Sequence, residues 1–441
     1  MNVEFPNKAK AQFSILNARE KLKDKNLSAN EREYWEQISR IDTVIDYGGR
    51  ESGKSFRGSL WATVACVDYN HRILYSRYVM NTTDQSITQA LDERIELLGY
   101  NNRVSFANNT YTTTDQHSKG RIFISGIKTS SLNQTAKLKS LEDFSIWIVD
   151  EAEEFTNYRD WKKIKRSLRA KDVQCVAVLS FNPPTIDHWL YTEFFENVGI
   201  EPGFSGIVNN VLYIYSNYLD NIDHIAEHNL REYEEKRMNY EYYESLNDEE
   251  RKTVIGKIVS DWEDYKYEIL GGFRLRAEGV IFRNWKYGEF DESLPYAYGL
   301  DFGSNDPDAL LKVAVDRKNK IIYMDEVYFQ NNTSSDALSK VLEDRVGYRD
   351  LIVADAADRR LIRDLYEQGF NIKKCKKGQG SVLHGIKTMQ GYLIVITKKS
   401  IHLSKALNNY AWHDSKSGIP KHEHSHLPDA GRYAFMDLIR D

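Results

Sequence analysis

The chain holds only three cysteines, Cys66, Cys175 and Cys375, in 441 residues. They lie far apart, which excludes a CxxC metal knuckle, argues against a disulfide framework and fits a reducing, cytosolic compartment. No apolar run approaches the ~18 residues of a membrane helix. The start, MNVEFPNKAKAQ, lacks the apolar stretch of a signal peptide, so secretion is not expected. An excess of charge of either sign is missing too: 60 Lys+Arg stand against 65 Asp+Glu, a net of −5. Bulk charge therefore announces no nucleic-acid partner, and any basic surface must be local. There is no repeat and no low-complexity tract. What is present, 41% apolar and 28% charged residues, describes a globular chain. At ~150 residues per domain the length suggests about three domains, each able to bury its own core.

Residues 7 to 40 read as surface helices. From residue 42, β-branched apolar runs (TVIDY, RILYS, RIFIS, FSIWIVD, VQCVAVLSF) alternate with helical patterns such as SITQALDERIELLGY. That alternation predicts a parallel sheet covered by helices on both faces. Residues 223 to 268 are dense in Glu, Lys and Tyr and contain no strand run, which predicts charged helices. From 296 three strands in succession (YAYGLDFG, ALLKVAVD, KIIYMDEVYF) predict an antiparallel meander. A helix and then LIVADAAD add a parallel strand, giving a second, mixed α/β sheet. The expected domains are 1–205, a helical linker 206–290, and 291–441.

Residues 48 to 55, GGRESGKS, fit G-x-x-x-x-G-K-[ST] with Gly48, Gly53, Lys54 and Ser55 in the fixed places. The motif follows an apolar strand and precedes a helix, the context of a phosphate-binding loop. Glycines let several backbone N–H groups turn inward, and those groups with the helix N-terminus bind phosphate oxygens. Lys54 is placed to reach the β- and γ-phosphates, and Ser55 to hold Mg2+. The partner is FSIWIVDEAEEF, where the buried strand Ile146 to Val149 ends in Asp150, a Mg2+ residue, and Glu151, a general base for an attacking water. A further strand, VAVLSFNPP, ends in Ser180 and Asn182. The amide is either a γ-phosphate sensor or part of an Asn-Pro-Pro turn.

The C-terminal third carries a second set of acids at element ends: Asp301 in YGLDFG, Asp355 in LIVADAAD and Asp429 in HSHLPDAGRYAFM. Three carboxylates from separate elements can hold two divalent ions ~4 Å apart, which suits phosphodiester hydrolysis. Mg2+ and Mn2+ both suit carboxylate oxygens. Residues 371 to 421 hold ten lysines (373, 374, 376, 377, 387, 398, 399, 405, 416 and 421) against one acid, Asp414. Such a basic stretch suits a phosphate backbone read without regard to sequence.

GGRESGKS, IWIVDEAEEF and LSFNPP, in this order and spacing, resemble the large terminase subunit of tailed bacteriophages. GLDFG, ADAAD, KGQGSVLHGI and the final H-x-P-D-A-x-R-Y-A resemble the RNase H-like nuclease domain of the same family. The resemblance implies a P-loop ATPase domain, a small helical linker and a nuclease domain. It implies ATP as the nucleotide, Asp150 as the Walker B acid, Glu151 as the catalytic carboxylate and Ser180–Asn182 as a coupling motif. Arg50 matches an arginine inside that family's loop, and Tyr34–Gln37 falls where adenine is contacted. An arginine finger is expected among Arg50, Arg77, Arg166 and Arg169. Asp301, Asp355 and Asp429 become the nuclease metal ligands, with His426 beside them. Asp358 is a spare acid, and His422 and His424 read as solvated loop residues. The implied partners are double-stranded DNA, a portal protein, a small terminase subunit and further copies of the chain in a ring of five, with a monomer as the other state of the unassembled chain. The implied place is the cytoplasm of an infected bacterium. Two other readings fit the same motifs: a helicase or repair translocase with an end-processing nuclease, and a motor whose C-terminal domain is a non-catalytic DNA clamp.

Overall fold

A computed structural model describes residues 9–78, 84–115, 119–127, 143–155, 157–254, 256–277, 279–303, 306–331, 334–376, 378, 380–413 and 418–440. The chain divides into two compact units, Met1–Arg274 and Leu275–Asp441.

The first unit is built on a nine-stranded sheet. In chain order its strands are β1 (Thr43–Gly48), β2 (Arg72–Ser76), β3 (Val104–Ala107), β4 (Thr110–Thr113), β5 (Arg121–Ile124), β6 (Ile146–Val149), β7 (Val176–Phe181), β8 (Gly206–Val208) and β9 (Val211–Ser216). Their order across the sheet is β3-β4-β5-β2-β6-β7-β1-β9-β8. The central strands β5, β2, β6, β7, β1 and β9 run parallel, and the strands at both edges are antiparallel. Alternate residues serve two cores. Val44, Ile146, Ile148, Val176 and Val178 join Trp61 and Leu91 on one face. Ile45, Tyr47, Trp147, Val149, Leu179 and Phe181 join Trp161, Trp189 and Phe195 on the other. Burial on both faces is why these strands read as continuous apolar runs.

The same unit carries the charged helical segment. Of the nineteen residues of the helix Glu227–Ser245 only Tyr233 is buried. It meets Tyr218, Tyr265 and Ile269 in a small cluster, and the Tyr218 and Tyr265 hydroxyls share a 3.0 Å hydrogen bond. The surplus of tyrosine thus serves packing here.

The second unit holds a seven-stranded sheet of β10 (Trp285–Tyr287), β11 (Tyr296–Asp301), β12 (Pro307–Asp316), β13 (Ile321–Asn331), β14 (Ile352–Ala354), β15 (Ile372–Lys374) and β16 (Leu393–Ile396), in the order β10-β16-β13-β12-β11-β14-β15. The expected meander is present as β11-β12-β13, antiparallel throughout, and β14 joins β11 in parallel. The last helix, His426–Leu438, lies against β11. A Cβ on Gly299 would come within 1.8 Å of the Ala430 carbonyl oxygen, so only glycine allows this approach.

The division between the units falls inside the expected linker, residues 206–290, and the two ends of that stretch belong to the sheets. β8 and β9 extend the first sheet beside β1, and β10 pairs with β16 in the second. The run VLYIYS is a mostly buried strand, and a three-residue strand such as β10 carries too few side chains to show a period.

Candidate nucleotide and metal sites

In the first unit the loop after β1 is shaped by its glycines. Gly48 has φ +144°, and a Cβ there would lie 1.7 Å from the Ser216 oxygen of β9. Gly53 has φ +79° and opens the helix Lys54–Val67. Glu51 also adopts a positive φ, 55°. Its carboxylate accepts from Asn229 at 2.7 Å and from the Tyr233 hydroxyl at 2.9 Å, and its carbonyl accepts from Asn221 at 2.9 Å. The charged helices thus grip the loop from outside.

A cavity of about 360 Å³ opens at this loop, lined among others by Arg50, Lys54, Ser55, Asp150, Glu151 and Asn182, with Asn221 and His224 from the helical segment. Lys54 Nζ donates to the carbonyls of Gly48 (3.0 Å) and Gly49 (2.6 Å), to Ser52 Oγ (3.1 Å) and to Asn182 Oδ1 (3.1 Å). Burial lowers its pKa to about 8, against the pull of Asp46 and Glu153. Asn182 therefore faces the loop lysine and not merely a turn. Asp150, at the end of β6, accepts two bonds from Arg77, at 3.0 and 2.7 Å. Glu151 stands 3.3 Å from the same guanidinium. Burial raises the Glu151 pKa, Arg77 opposes this, and Asp150 adds to it, the direction a general base near neutral pH needs.

The other candidate arginines differ. Arg50 pairs with Glu268 at 2.9 Å. Arg166 and Arg169 follow the helix Tyr158–Lys165 and do not line the cavity, and neither do Tyr34–Gln37.

Two features of this site escaped the sequence. Glu153 is half-buried, with Oε1 accepting from the Asn182 N–H at 3.3 Å and a buried Oε2 without a hydrogen-bond partner. Burial raises its pKa to about 7. Beneath the loop, Arg57 and Asp46 form a buried ion pair, 5% and 1% exposed, with Arg57 also donating to Ser216 Oγ at 3.1 Å. A charge within each of two apolar segments, TVIDYG and SFRGSLW, was the available signal.

In the second unit the three predicted acids converge. Leu300 pairs with Ala354 in register and the Asp355 N–H donates to the Leu300 carbonyl at 2.9 Å, so Asp301 and Asp355 leave neighbouring strands at one level. Asp429 lies in the first turn of the last helix. Asp301 Oδ2 bonds His426 Nδ1 at 2.6 Å, and Oδ1 accepts from the Tyr433 hydroxyl at 3.1 Å. Asp429 Oδ1 accepts from Arg432 Nε and Nη2 at 3.1 and 2.9 Å. Burial raises the Asp429 pKa, opposed by Arg432 and reinforced by Asp301. Burial also raises that of Tyr433, followed by the charges of Asp301, Asp429 and Asp355, so all three carboxylates surround one phenol. Tyr433 and Arg432 were missed. The spacing of His426, Asp429 and Tyr433, three and then four residues on one helix face, is the signal that points to them.

Other residues fall elsewhere. Asp358 caps the helix Arg359–Glu367, accepting from the Leu361 N–H at 3.0 Å. His422 and His424 are exposed in a loop, as expected, and the His422 ring stands 5.5 Å from that of His426. The lysine stretch is not one stripe. Lys373 and Lys374 lie on β15, next to the strand of Asp355, whereas Lys398 and Lys399 follow β16, on the far side of β12 and β13. Lys373 pairs with Asp437 and Lys399 with Asp325. Lys377, Lys416 and Asp414 lie outside the described residues. A chain run that crosses the sheet cannot stay on one edge.

Comparison with known proteins matches residues 40–249 to the family described as phage terminase large subunit and residues 301–437 to the terminase RNase H-like domain. The chain belongs to the phage terminase large subunit family. It is 23% identical over 380 residues to the PBSX phage terminase large subunit of Bacillus subtilis (strain 168), covering 81% of this chain and 79% of that one. It is 26% identical over 403 residues to the terminase large subunit of Bacillus phage SPP1, covering 88% and 89%. Among solved structures, the large terminase of bacteriophage HK97 aligns over 87% of this chain and 88% of that one, with a TM-score of 0.46 and 9% identity. As a terminase large subunit, the chain joins an ATPase domain to an RNase H-like nuclease domain, and its activities are ATP hydrolysis and endonucleolytic cleavage. Among the described residues no helix is long and apolar enough to cross a membrane.

Proposed function

We propose that the first unit uses ATP to move double-stranded viral DNA into a procapsid, and that the second cuts concatemeric DNA when packaging begins and ends. The observation that carries this reading is the presence of two separate sets of ligands at strand and helix ends: the glycine loop with Lys54, Asp150 and Glu151, and Asp301, Asp355 and Asp429 around Tyr433.

The residues fit their groups. Gly48 and Gly49 leave no side chain in the loop, and Lys54 is held there by four oxygen acceptors that phosphate oxygens can replace. Ser55 and Asp150 would hold Mg2+, which supplies charge neutralisation at the phosphates. Lys54 binds the phosphate chain, Glu151 orients the attacking water and takes its proton, and Asn182 links Lys54 to β7. Asp150 must first release Arg77. In the second unit an oxygen-rich donor set suits two Mg2+ or Mn2+ ions, whose chemistry is water activation and leaving-group stabilisation. A small cavity of about 60 Å³ beside Tyr433, lined among others by Lys376, Arg432 and Arg440, offers positive groups to a DNA phosphate. The partners in this reading are a portal protein, a small terminase subunit and further copies of the chain in a ring of five, within the infected cell's cytoplasm.

The test is separation of the two activities. Lys54→Ala and Glu151→Ala should each abolish ATP hydrolysis and leave metal-dependent DNA cutting detectable. Loss of both activities together in a folded variant would contradict two independent sites.

A further inference from the structure

Arg166 and Arg169, which stand away from the nucleotide cavity, belong to a dense basic stretch. Residues 158–171 hold seven basic residues against one acid, Asp160, in a chain of net charge −5. The helix Tyr158–Lys165 gives this stretch two faces. Trp161, Ile164 and Leu168 pack into the core of the first unit with Trp189 and Phe194. Arg159, Lys162, Lys163 and Arg166 are all exposed. At ~100° per residue they fall within about 100° of arc on the opposite side of the helix.

Most of these charges have nothing to neutralise them. Lys163 pairs with Asp160 at 2.9 Å. Among the described residues Arg159, Lys162, Arg166 and Arg169 have no carboxylate partner. Lys162 lies over the Tyr158 ring, and Arg169 Nε donates to the Arg166 carbonyl at 3.1 Å. Helix stability does not ask for the stripe. Cations suit the last turn of a helix, but Arg159 is in the first turn, where an acid is favoured. Like charges three and four residues apart also repel. The nucleotide phosphates do not account for it either, because none of these residues lines the cavity.

An extended polyanion does account for it. From Arg159 to Arg166 the helix rises about 10 Å, the axial rise of about three phosphates of one DNA strand. Lysine and arginine on one flat face hold a backbone and read no bases. We propose that the outer face of the helix Tyr158–Lys165, continued by Arg166 and Arg169, is a contact site of the first unit for the phosphate backbone of double-stranded DNA. The proposal rests on the reading of this unit as a DNA motor and names a surface by which it holds its track. The helix begins seven residues after Glu151. The Trp161 and Trp189 rings stand 5.8 Å apart, and the Trp189 indole donates to the carbonyl of Phe155, just beyond the acids that follow β6. Packed aromatic rings therefore join the basic face to the segment that carries Glu151.

The test is anisotropy of a short labelled duplex with the full chain in EDTA, from about 50 to 200 mM salt. Arg159→Ala, Lys162→Ala, Arg166→Ala and Arg169→Ala together should raise Kd at least tenfold and lower the slope of log K against log salt by about 3–4. Arg166→Ala alone should lower the slope by about one. The charge-preserving set Arg159→Lys, Lys162→Arg, Arg166→Lys and Arg169→Lys should keep both Kd and slope. So should Arg19→Ala, Lys21→Ala, Lys23→Ala and Lys25→Ala, which remove the same charge elsewhere on the first unit. Circular dichroism melts of both alanine sets should match wild type. An unchanged slope in the first set, or an equal loss in the second, would overturn the proposal. Intact DNA binding with lost self-association, seen by sedimentation, would assign the face to a neighbouring copy and overturn it too. Wild type that binds no duplex even at the lowest salt would refute the motor reading and this site with it, a result distinct from wild-type binding that the first set leaves unchanged.

Discussion

Replacing Glu153 by glutamine tests the buried acid of the nucleotide site. Burial raises its pKa from 4.5 to about 7. A carboxyl raised in the folded state contributes stability that is full below its unfolded pKa and is lost as pH rises through the folded value, here between about pH 4.5 and 7. The full span of about 2.5 units corresponds to about 3 kcal/mol at 1.36 kcal/mol per unit. Most of it, about 2–3 kcal/mol, falls between pH 5 and pH 8. Glutamine keeps an acceptor for the Asn182 N–H, a bond of 3.3 Å in the wild type, and does not ionise. The gain of Glu153→Gln over wild type should therefore be small at pH 5 and larger by about 2–3 kcal/mol at pH 8. Taking the difference cancels the titrating groups that do not interact with Glu153, leaving its coupling to Glu151 and Lys54. Urea unfolding without nucleotide, followed by tryptophan fluorescence, is the assay. Six of the eight tryptophans (Trp35, Trp61, Trp147, Trp161, Trp189 and Trp262) lie in the first unit. A difference that stays flat from pH 5 to pH 8 would show that Glu153 is not a strained buried acid.

Further outcomes can be checked alongside it. Arg57→Ala leaves Asp46 charged and buried, which should cost about 3–5 kcal/mol, whereas the paired change Asp46→Leu with Arg57→Met should recover most of it; thermal melts of the three proteins decide. Gly299→Ala forces a methyl to within 1.8 Å of the Ala430 oxygen, with an overpacking cost of about 1–3 kcal/mol. It should lower DNA cutting at least tenfold by shifting the helix of Asp429, while ATP hydrolysis stays within twofold. Lys54→Ala and Glu151→Ala should separate the activities in the opposite sense.

What the sequence made legible follows from how each signal is written. β1, β6 and β7 are buried on both faces, so their apolar runs were plain, and the acids after β6 could be placed without coordinates. The glycine loop was legible because its backbone conformations tolerate few residues. The meander β11-β12-β13 followed from strand order, whereas the convergence of Asp301, Asp355 and Asp429 did not, because Asp429 comes from the last helix. Contacts that depend on tertiary placement were not legible. Glu153 looked like one more charge in DEAEEF, and only its burial against Asn182 sets it apart. Arg77 was one of four arginines until it met Asp150. That the two ends of the 206–290 stretch join the sheets was not legible, because β8 and β10 have three residues each. The lysine run looked continuous because chain distance hides the four strands that separate β15 from β16 in the sheet.

The central claim is that a metal-dependent nuclease resides in the second unit, on Asp301, Asp355 and Asp429. Supercoiled plasmid incubated with the full chain without ATP, across Mg2+, Mn2+ and EDTA and beside Asp355→Ala, tests it most directly. The account predicts cutting that needs a divalent ion and disappears in the variant. Equal cutting by wild type and Asp355→Ala would contradict the assignment of these carboxylates, and no cutting by folded wild type with either ion would contradict an autonomous nuclease.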